Sequence, residues 1–405
     1  MSFLKKTIKF GSGVILAQLI TAASIPLLSR LYKPEEFSLF GMYFSIAAIL
    51  MVFVTLKLEN TLPKEKNIED KIPIILNVGY LTFVPLCLFC GFILYIINDE
   101  FDSGDIYWSI LIVFAAYTFN IFNILNILNI RENKISLSNK ARVLRSVFSI
   151  VFQIIFIFLK GGLFIGETLG RFLGLVFLSR KKYYYLKLHE SMDLIKNQIN
   201  YIKYVMTASF LNTLGLNLYP IVIMKFYDPI LVGKFFFVQK ILSAPVTIIA
   251  QSISVVMLGD FRKIIQTDKK ELIKKLNKIT FLFFIASIFL FITIGFLLKY
   301  SESFIFGQSW IGIYIYVFIL LPFLVGQIAF SPFSQMLVLV GGEKFQVVWD
   351  MFRLILVIFS VAYPLLLEIE NSFICCLLIY SIANFLLYLI HYIFLIKKIK
   401  VYCHE

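Results

Sequence analysis

Four basic side chains stand within or at the rim of long apolar runs: Arg171, Lys240, Arg30 and Lys225. A cation there is costly unless it faces water, meets a counter-charge or binds an anion. Their expected chemistry is recognition of an anionic group in a cationic cavity. Arg171 is the deepest, but Glu167 lies four residues earlier on the same helical face, so an internal ion pair competes with a ligand role. Lys240 has no charged residue at helical spacing, which points it to a cavity. Arg30 and Lys225 close two runs, where a long basic side chain snorkels to the interface as readily as it lines a path. Lys57 and Glu59 mark the far end of the second run, as boundary residues or an inner gate. Glu167 and Asp350 are the carboxylates available for coupling to a proton or sodium ion, and nothing in the sequence singles either out. Asn120, Asn123, Asn126 and Asn129 recur every third residue, an oblique strip on a helix. Such amides suit sugar hydroxyls or hydrogen bonds between helices, and the second use is the commoner.

Other chemistries find little support. Cys87 and Cys90 form C-x-x-C inside an apolar run, as Cys375 and Cys376 lie in another, where small packing residues are expected rather than a redox pair. His189, His391 and His404 assemble no metal site, and His391 reads as a packed histidine. The formal charge of +14 invites a nucleic-acid partner, but the basic residues fall in short loops between apolar runs and form no recognition module.

The elements that must position these residues are membrane spans. Of 405 residues 60% are apolar and 15% charged, too little polar surface to coat a soluble globule. The apolar residues form runs of about the length a helix needs to cross hydrocarbon. Twelve are predicted: 10–31, 38–56, 72–97, 106–130, 144–159, 162–179, 204–226, 232–258, 279–298, 311–340, 354–367 and 373–396. The fifth and sixth are joined by a tight hairpin at Lys160 and Gly161, and the tenth is long enough to tilt or break around Pro322 and Pro332. With the N-terminus inside, 30 Lys and Arg fall on the cytoplasmic side and 6 outside, so both ends are expected in the cytoplasm. The first run reads as an uncleaved helix rather than a signal peptide. Residues 263–278 read either as a basic amphipathic helix on the inner membrane face or as a solvated connector.

Arg30-Leu31-Tyr32-Lys33-Pro34 after the first run is echoed by Lys225-Phe226-Tyr227-Asp228-Pro229 after the seventh. Both copies leave the membrane on the same side, which predicts a parallel repeat of two six-helix halves, 1–200 and 201–405, a plan typical of transporters.

The stretches Leu28–Phe37 and Lys57–Lys64, with Tyr219–Gln251 including Val232-Gly233-Lys234-Phe235 and Pro245, resemble the polysaccharide-exporting flippases of the multidrug/oligosaccharidyl-lipid/polysaccharide superfamily. Span spacing agrees along the whole chain. Ser38 departs from the Gly usual there, while Gly233 keeps it in the second half. The resemblance implies an all-α membrane fold of the V-shaped architecture of multidrug exporters. It also implies a non-enzymatic flippase in the cytoplasmic (inner) membrane, moving a polyprenyl-pyrophosphate-linked oligosaccharide for O-antigen or capsule synthesis. Its partners would be that lipid-linked substrate, the bilayer and the polysaccharide polymerase and chain-length proteins. No cofactor is expected, beyond a coupling proton or sodium ion. A cation-coupled multidrug exporter of the same fold is the nearest rival, although its cavity should favour carboxylates. A membrane polysaccharide polymerase is the second, although no outside loop exceeds about a dozen residues, short for catalysis at a lipid-linked glycan.

Overall fold

The computed structural model describes residues 3–64, 68–98, 103–132, 134–178, 187–264 and 269–401. Among them the regular structure is helical: α1 (Phe3–Leu31), α2 (Pro34–Val54), α3 (Ile68–Asn98), α4 (Ser103–Arg131), α5 (Ile135–Ile155), α6 (Gly162–Leu178), α7 (Leu188–Asn197), α8 (Ile199–Phe226), α9 (Pro229–Ile264), α10 (Lys269–Phe306), α11 (Ile313–Ala329), α12 (Ser334–Leu339), α13 (Glu343–Leu366) and α14 (Ser372–Val401). Each of the twelve predicted runs has its helix; α7 and α12 are short additions. Ten helices are long and apolar enough by themselves to cross a membrane. The other two long ones are α5, which carries Lys140, Arg142 and Arg145, and α6, with 17 residues.

Lipid is visible as solvent in what the helices leave uncovered. On α10, Phe281, Leu282, Phe289 and Leu297 are all exposed, as a face turned to hydrocarbon should be. Helix starts follow the local chemistry. Pro34 opens α2 directly after Lys33 in extended backbone and Pro229 opens α9 two residues after Tyr227, also extended, so both copies of the repeated motif make a helix–break–helix step. Glu36 in the first turn of α2 accepts the Gly161 N–H at 2.8 Å, tying that turn to the α5–α6 hairpin, where Gly161 takes φ +74.

The chain divides into two compact units, Met1–Pro229 and Ile230–Glu405. This border lies one helix beyond the 200/201 border the repeat implies, because α8 packs against α2. In the first unit α5 packs closely on α6 and α1, α4 on α2, α3 and α6, and α7 lies along α3. In the second, α11 packs between α10 and α14, and α13 packs on α14.

Several predicted boundaries move, and the reason recurs. Charged residues had been read as breaks, yet helices run through them. α5 starts at Ile135, nine residues before the predicted span, and takes in Arg142 and Arg145. α13 starts at Glu343, not 354, and buries Asp350 and Arg353. The tenth run breaks at Ser331-Pro332-Phe333, whereas Pro322 lies inside α11 without ending it. Of the basic segment 263–278, Lys263 and Ile264 end α9 and the residues from Lys269 are the first turns of α10, so its described part is neither a separate helix nor a loop.

Candidate functional site

In the first unit the ionic groups gather where α4, α5 and α6 meet. Arg171 and Glu167 form the predicted pair, Nε to Oε1 at 2.8 Å, each about 15% exposed. The Arg171 guanidinium lies over the Phe119 ring at 3.8 Å and near Phe44 at 5.6 Å, so α2 and α4 cover its face. Beside this pair stands Arg145 of α5, which feels the charges of Arg171 and Glu167 and that of Arg142, about one turn earlier on its own helix. Arg145 lies over Phe122 at 5.4 Å, and its buried Nε has no hydrogen-bond partner among the described residues. Among the described residues the charged neighbours of Arg145 are thus two guanidinium groups and one carboxylate. α6 comes this near to α5 because Gly166, Gly170 and Gly174 carry no side chain: a Cβ on Gly174 would sit 3.0 Å from Arg145 Cβ, and one on Gly170 would press into Ser149.

Arg142 and Arg145 are among the 30 Lys and Arg that the charge distribution assigns to the cytoplasmic side, Arg145 at the very start of the predicted fifth span. The signal that could have found them is Gly162, Gly166, Gly170 and Gly174, spaced by four, which marks a close helix contact and hence a long partner helix through the preceding basic stretch.

Lys57 and Glu59 are brought together, Nζ to Oε1 at 3.5 Å, in a turn where Leu56 and Lys57 take positive φ. Glu59 is buried, accepts the Thr55 hydroxyl at 2.5 Å and lies near Tyr201 of α8. Thr55 also reaches Asn120. Of the asparagine strip, Asn126 and Asn129 bond backward to their own helix, Asn126 also accepts the Ser138 hydroxyl of α5, and Asn123 is exposed. Asn126 thereby joins α4 to α5.

Arg30 is exposed in the last turn of α1, away from the α4–α6 cluster. Tyr32 beyond it donates to the Gln153 carbonyl at 2.6 Å; burial, with Glu36 nearby, pushes its phenol up to about 12, so it stays a donor. Lys225 donates to the Ile96 carbonyl at 2.5 Å, at the end of α3. It lines, with Lys160, Asp105, Asn98, Tyr43 and Trp108, a polar pocket of about 260 Å³. Lys225 and Arg171 therefore belong to different places in the first unit.

Lys240 and Asp350 belong to the second unit. Lys240 is half-buried in α9. Asp350 pairs loosely with Arg353, Nη1 to Oδ1 at 3.9 Å, and accepts from the Gln346 amide at 3.3 Å. His391, expected to pack quietly, hydrogen-bonds Gln346 at 2.8 Å. Among the described residues no cluster of His, Cys, Asp and Glu could hold a metal ion. Among the described residues Cys87, Cys90, Cys375 and Cys376 form no disulfide and are half-buried or buried.

Solved structures share this fold at low sequence identity. An inward-facing multidrug resistance transporter of the MATE family and MOP superfamily matches with a TM-score of 0.64 over 99% of this chain and 96% of its own, at 16% identity. The lipid II flippase MurJ, in an inward closed conformation, matches with a TM-score of 0.71 over 96% and 87%, at 13% identity. A MOP superfamily transporter from Pyrococcus furiosus matches at 0.57 over 99% and 97%, at 13% identity. No curated protein matches the sequence. The fold is that of all-helical membrane transporters of this superfamily. Within that class, residues 27–315 match the profile of the polysaccharide biosynthesis proteins, and the chain belongs to that family.

Proposed function

We propose that this protein is a flippase that moves a polyprenyl-pyrophosphate-linked oligosaccharide from the cytoplasmic to the outer leaflet of the inner membrane, supplying O-antigen or capsule synthesis. A sugar–pyrophosphate headgroup must cross hydrocarbon while its lipid tail remains in the bilayer, so the route needs cations and hydrogen-bond donors at mid-depth. The observation that carries the reading is the surplus of cations around Arg145, which has Arg171, Arg142 and Glu167 as charged neighbours and an Nε with no hydrogen-bond partner among the described residues. Such a surplus suits an anion and opposes a cationic drug, for which carboxylates are expected. Lys240, half-buried in the other unit, is the second cationic residue assigned to the path, and Arg30 and Lys225 lie nearer its outer end. Transport proceeds by alternating access, the two halves opening in turn to either side. Lys57 and Glu59 serve the inner gate, where their buried contact with Thr55 must break. A polymerase and chain-length proteins receive the product outside.

The test is the leaflet distribution of the lipid-linked oligosaccharide in a strain lacking the gene, with wild type, Arg145→Ala, Arg171→Ala or Lys240→Ala restored. Accumulation on the cytoplasmic side, cleared by wild type and at least about tenfold more slowly by Arg145→Ala, is the expected result. If the intermediate reaches the outer leaflet without the protein, the reading falls and drug export is the function to test.

A further inference from the structure

Asp350, Arg353 and His391 are each only 3% exposed, inside two helices of apolar sequence. Two ionisable residues of opposite sign and a histidine at one buried point are costly, and such groups within a membrane span mark function by default. Their hydrogen bonding is incomplete: Asp350 Oδ1 and Arg353 Nε and Nη1 have no hydrogen-bond partner among the described residues, and the ion pair is a loose 3.9 Å. A purely structural pair would close that gap, since an unsatisfied buried charge destabilises by several kcal/mol.

The bridge between the carboxylate and the histidine is Gln346. Its amide nitrogen donates to Asp350 Oδ2 at 3.3 Å, and its carbonyl oxygen faces His391 Nε2 at 2.8 Å. A carbonyl only accepts, so His391 carries its proton on Nε2 and leaves Nδ1 for a second. The groups around the site are few. On α13 the charged neighbour is Arg353, which lies over Trp349 at 4.1 Å. From α14 come His391, Tyr388, 5.6 Å from the Arg353 guanidinium, and Tyr380, which Arg353 also influences. α12, the other helix packed on α13, has no ionisable residue in Ser334–Leu339.

We propose that Asp350, Arg353 and His391, joined through Gln346, form a proton-binding site in the second unit. With Asp350 ionised the site holds an ion pair and a neutral imidazole and is neutral overall. An added proton, on Asp350 or on His391 Nδ1, leaves it with one net positive charge. Protonation at Asp350 removes the counter-charge of Arg353 and one acceptor of the Gln346 bridge, so the α13–α14 contact loosens. Within the proposed flippase, whose reading this assignment rests on, such a site links a proton gradient to transport; the binding of the proton itself is testable without any substrate.

Trp349 is the reporter, its ring 4.9 Å from the His391 ring in edge-on contact. The chain has three tryptophans, so Trp108→Phe with Trp310→Phe leaves Trp349 alone. The purified full chain in liposomes is titrated from about pH 5 to about pH 8, across the range where histidine switches, while indole emission is read. A single reversible transition is expected, lost in Asp350→Asn and shifted or lost in His391→Gln. If the double tryptophan variant does not fold, the same difference is read between the parent chain and Asp350→Asn. Emission flat across the range, or a transition unchanged in both Asp350→Asn and His391→Gln, overturns the proposal. A transition in a protein whose loss leaves the lipid-linked intermediate correctly distributed keeps the proton site and removes the flippase reading.

Discussion

Arg171 and Arg145 sit within one cluster and differ in what satisfies them. Arg171 has a carboxylate four residues away and an aromatic ring under its face. Arg145 has a ring at 5.4 Å and a buried Nε with no acceptor among the described residues. The first is held by the fold and the second is the better placed to take an anion. Removing half of the paired set should therefore act on stability. Arg171→Gln is expected to lower the stability of the detergent-solubilised protein by about 1–3 kcal/mol, through the carboxylate left behind. Adding Glu167→Gln should recover part of that loss in a double-mutant cycle. Thermal midpoints of the four proteins check it; purely additive losses would mean that the pair is not coupled. The Lys57–Glu59 contact, in a turn with two residues at positive φ, was legible as a gate or boundary from its position, but its burial against Thr55 was not.

At the scale of the element, glycine decides the depth of the cationic cluster. α6 repeats Gly at every fourth position along the face turned to α5, and the backbone of Ser149 occupies the space a side chain would need at Gly170. Gly170→Ala is expected to lower stability by about 1–3 kcal/mol, as overpacking does. Gly11→Ala, inside α1 with no described residue within 4 Å, should be neutral to stabilising by up to about 1 kcal/mol. The pair of melting curves separates close packing from the general effect of removing a glycine. If Gly170→Ala is as benign as Gly11→Ala, the helices are not in the contact described. Elements also explain which boundaries were misread. α5 and α13 extend through Arg142, Arg145, Asp350 and Arg353; Arg145 and Arg353 lie over aromatic rings and Asp350 faces Arg353, so these charges do not end the helix. Hydropathy treats every charge as exposed, so it ended the spans too early at both places.

At the scale of the molecule, a family that matches residues 27–315 and a fold shared with lipid II and multidrug transporters agree with the twelve runs read along the chain. The orientation expected from the sequence is the one that puts 30 Lys and Arg inside and 6 outside. A reporter fused after residue 405 and active only in the cytoplasm should be active. A cysteine placed at Ser103, at the start of α4, should react with an impermeant maleimide from outside. The opposite labelling pattern would invert the assignment of gate and exit, and Lys57 would then lie at the outer mouth.

Composition and spacing alone determined that the chain is a bundle of membrane helices, how many long ones it has, and that Arg171 and Glu167 stand on one helical face. These are properties of one residue's neighbours along the chain, and helical periodicity makes them local. Which charges are grouped was decided only by tertiary structure. Arg145 reaches Arg171 because α6 lies against α5, and His391 reaches Asp350 through Gln346 because α14 lies against α13. Such contacts join residues far apart in sequence, so no spacing along the chain encodes them, and a charge that reads as a loop residue becomes a buried one when a neighbouring helix supplies its partner.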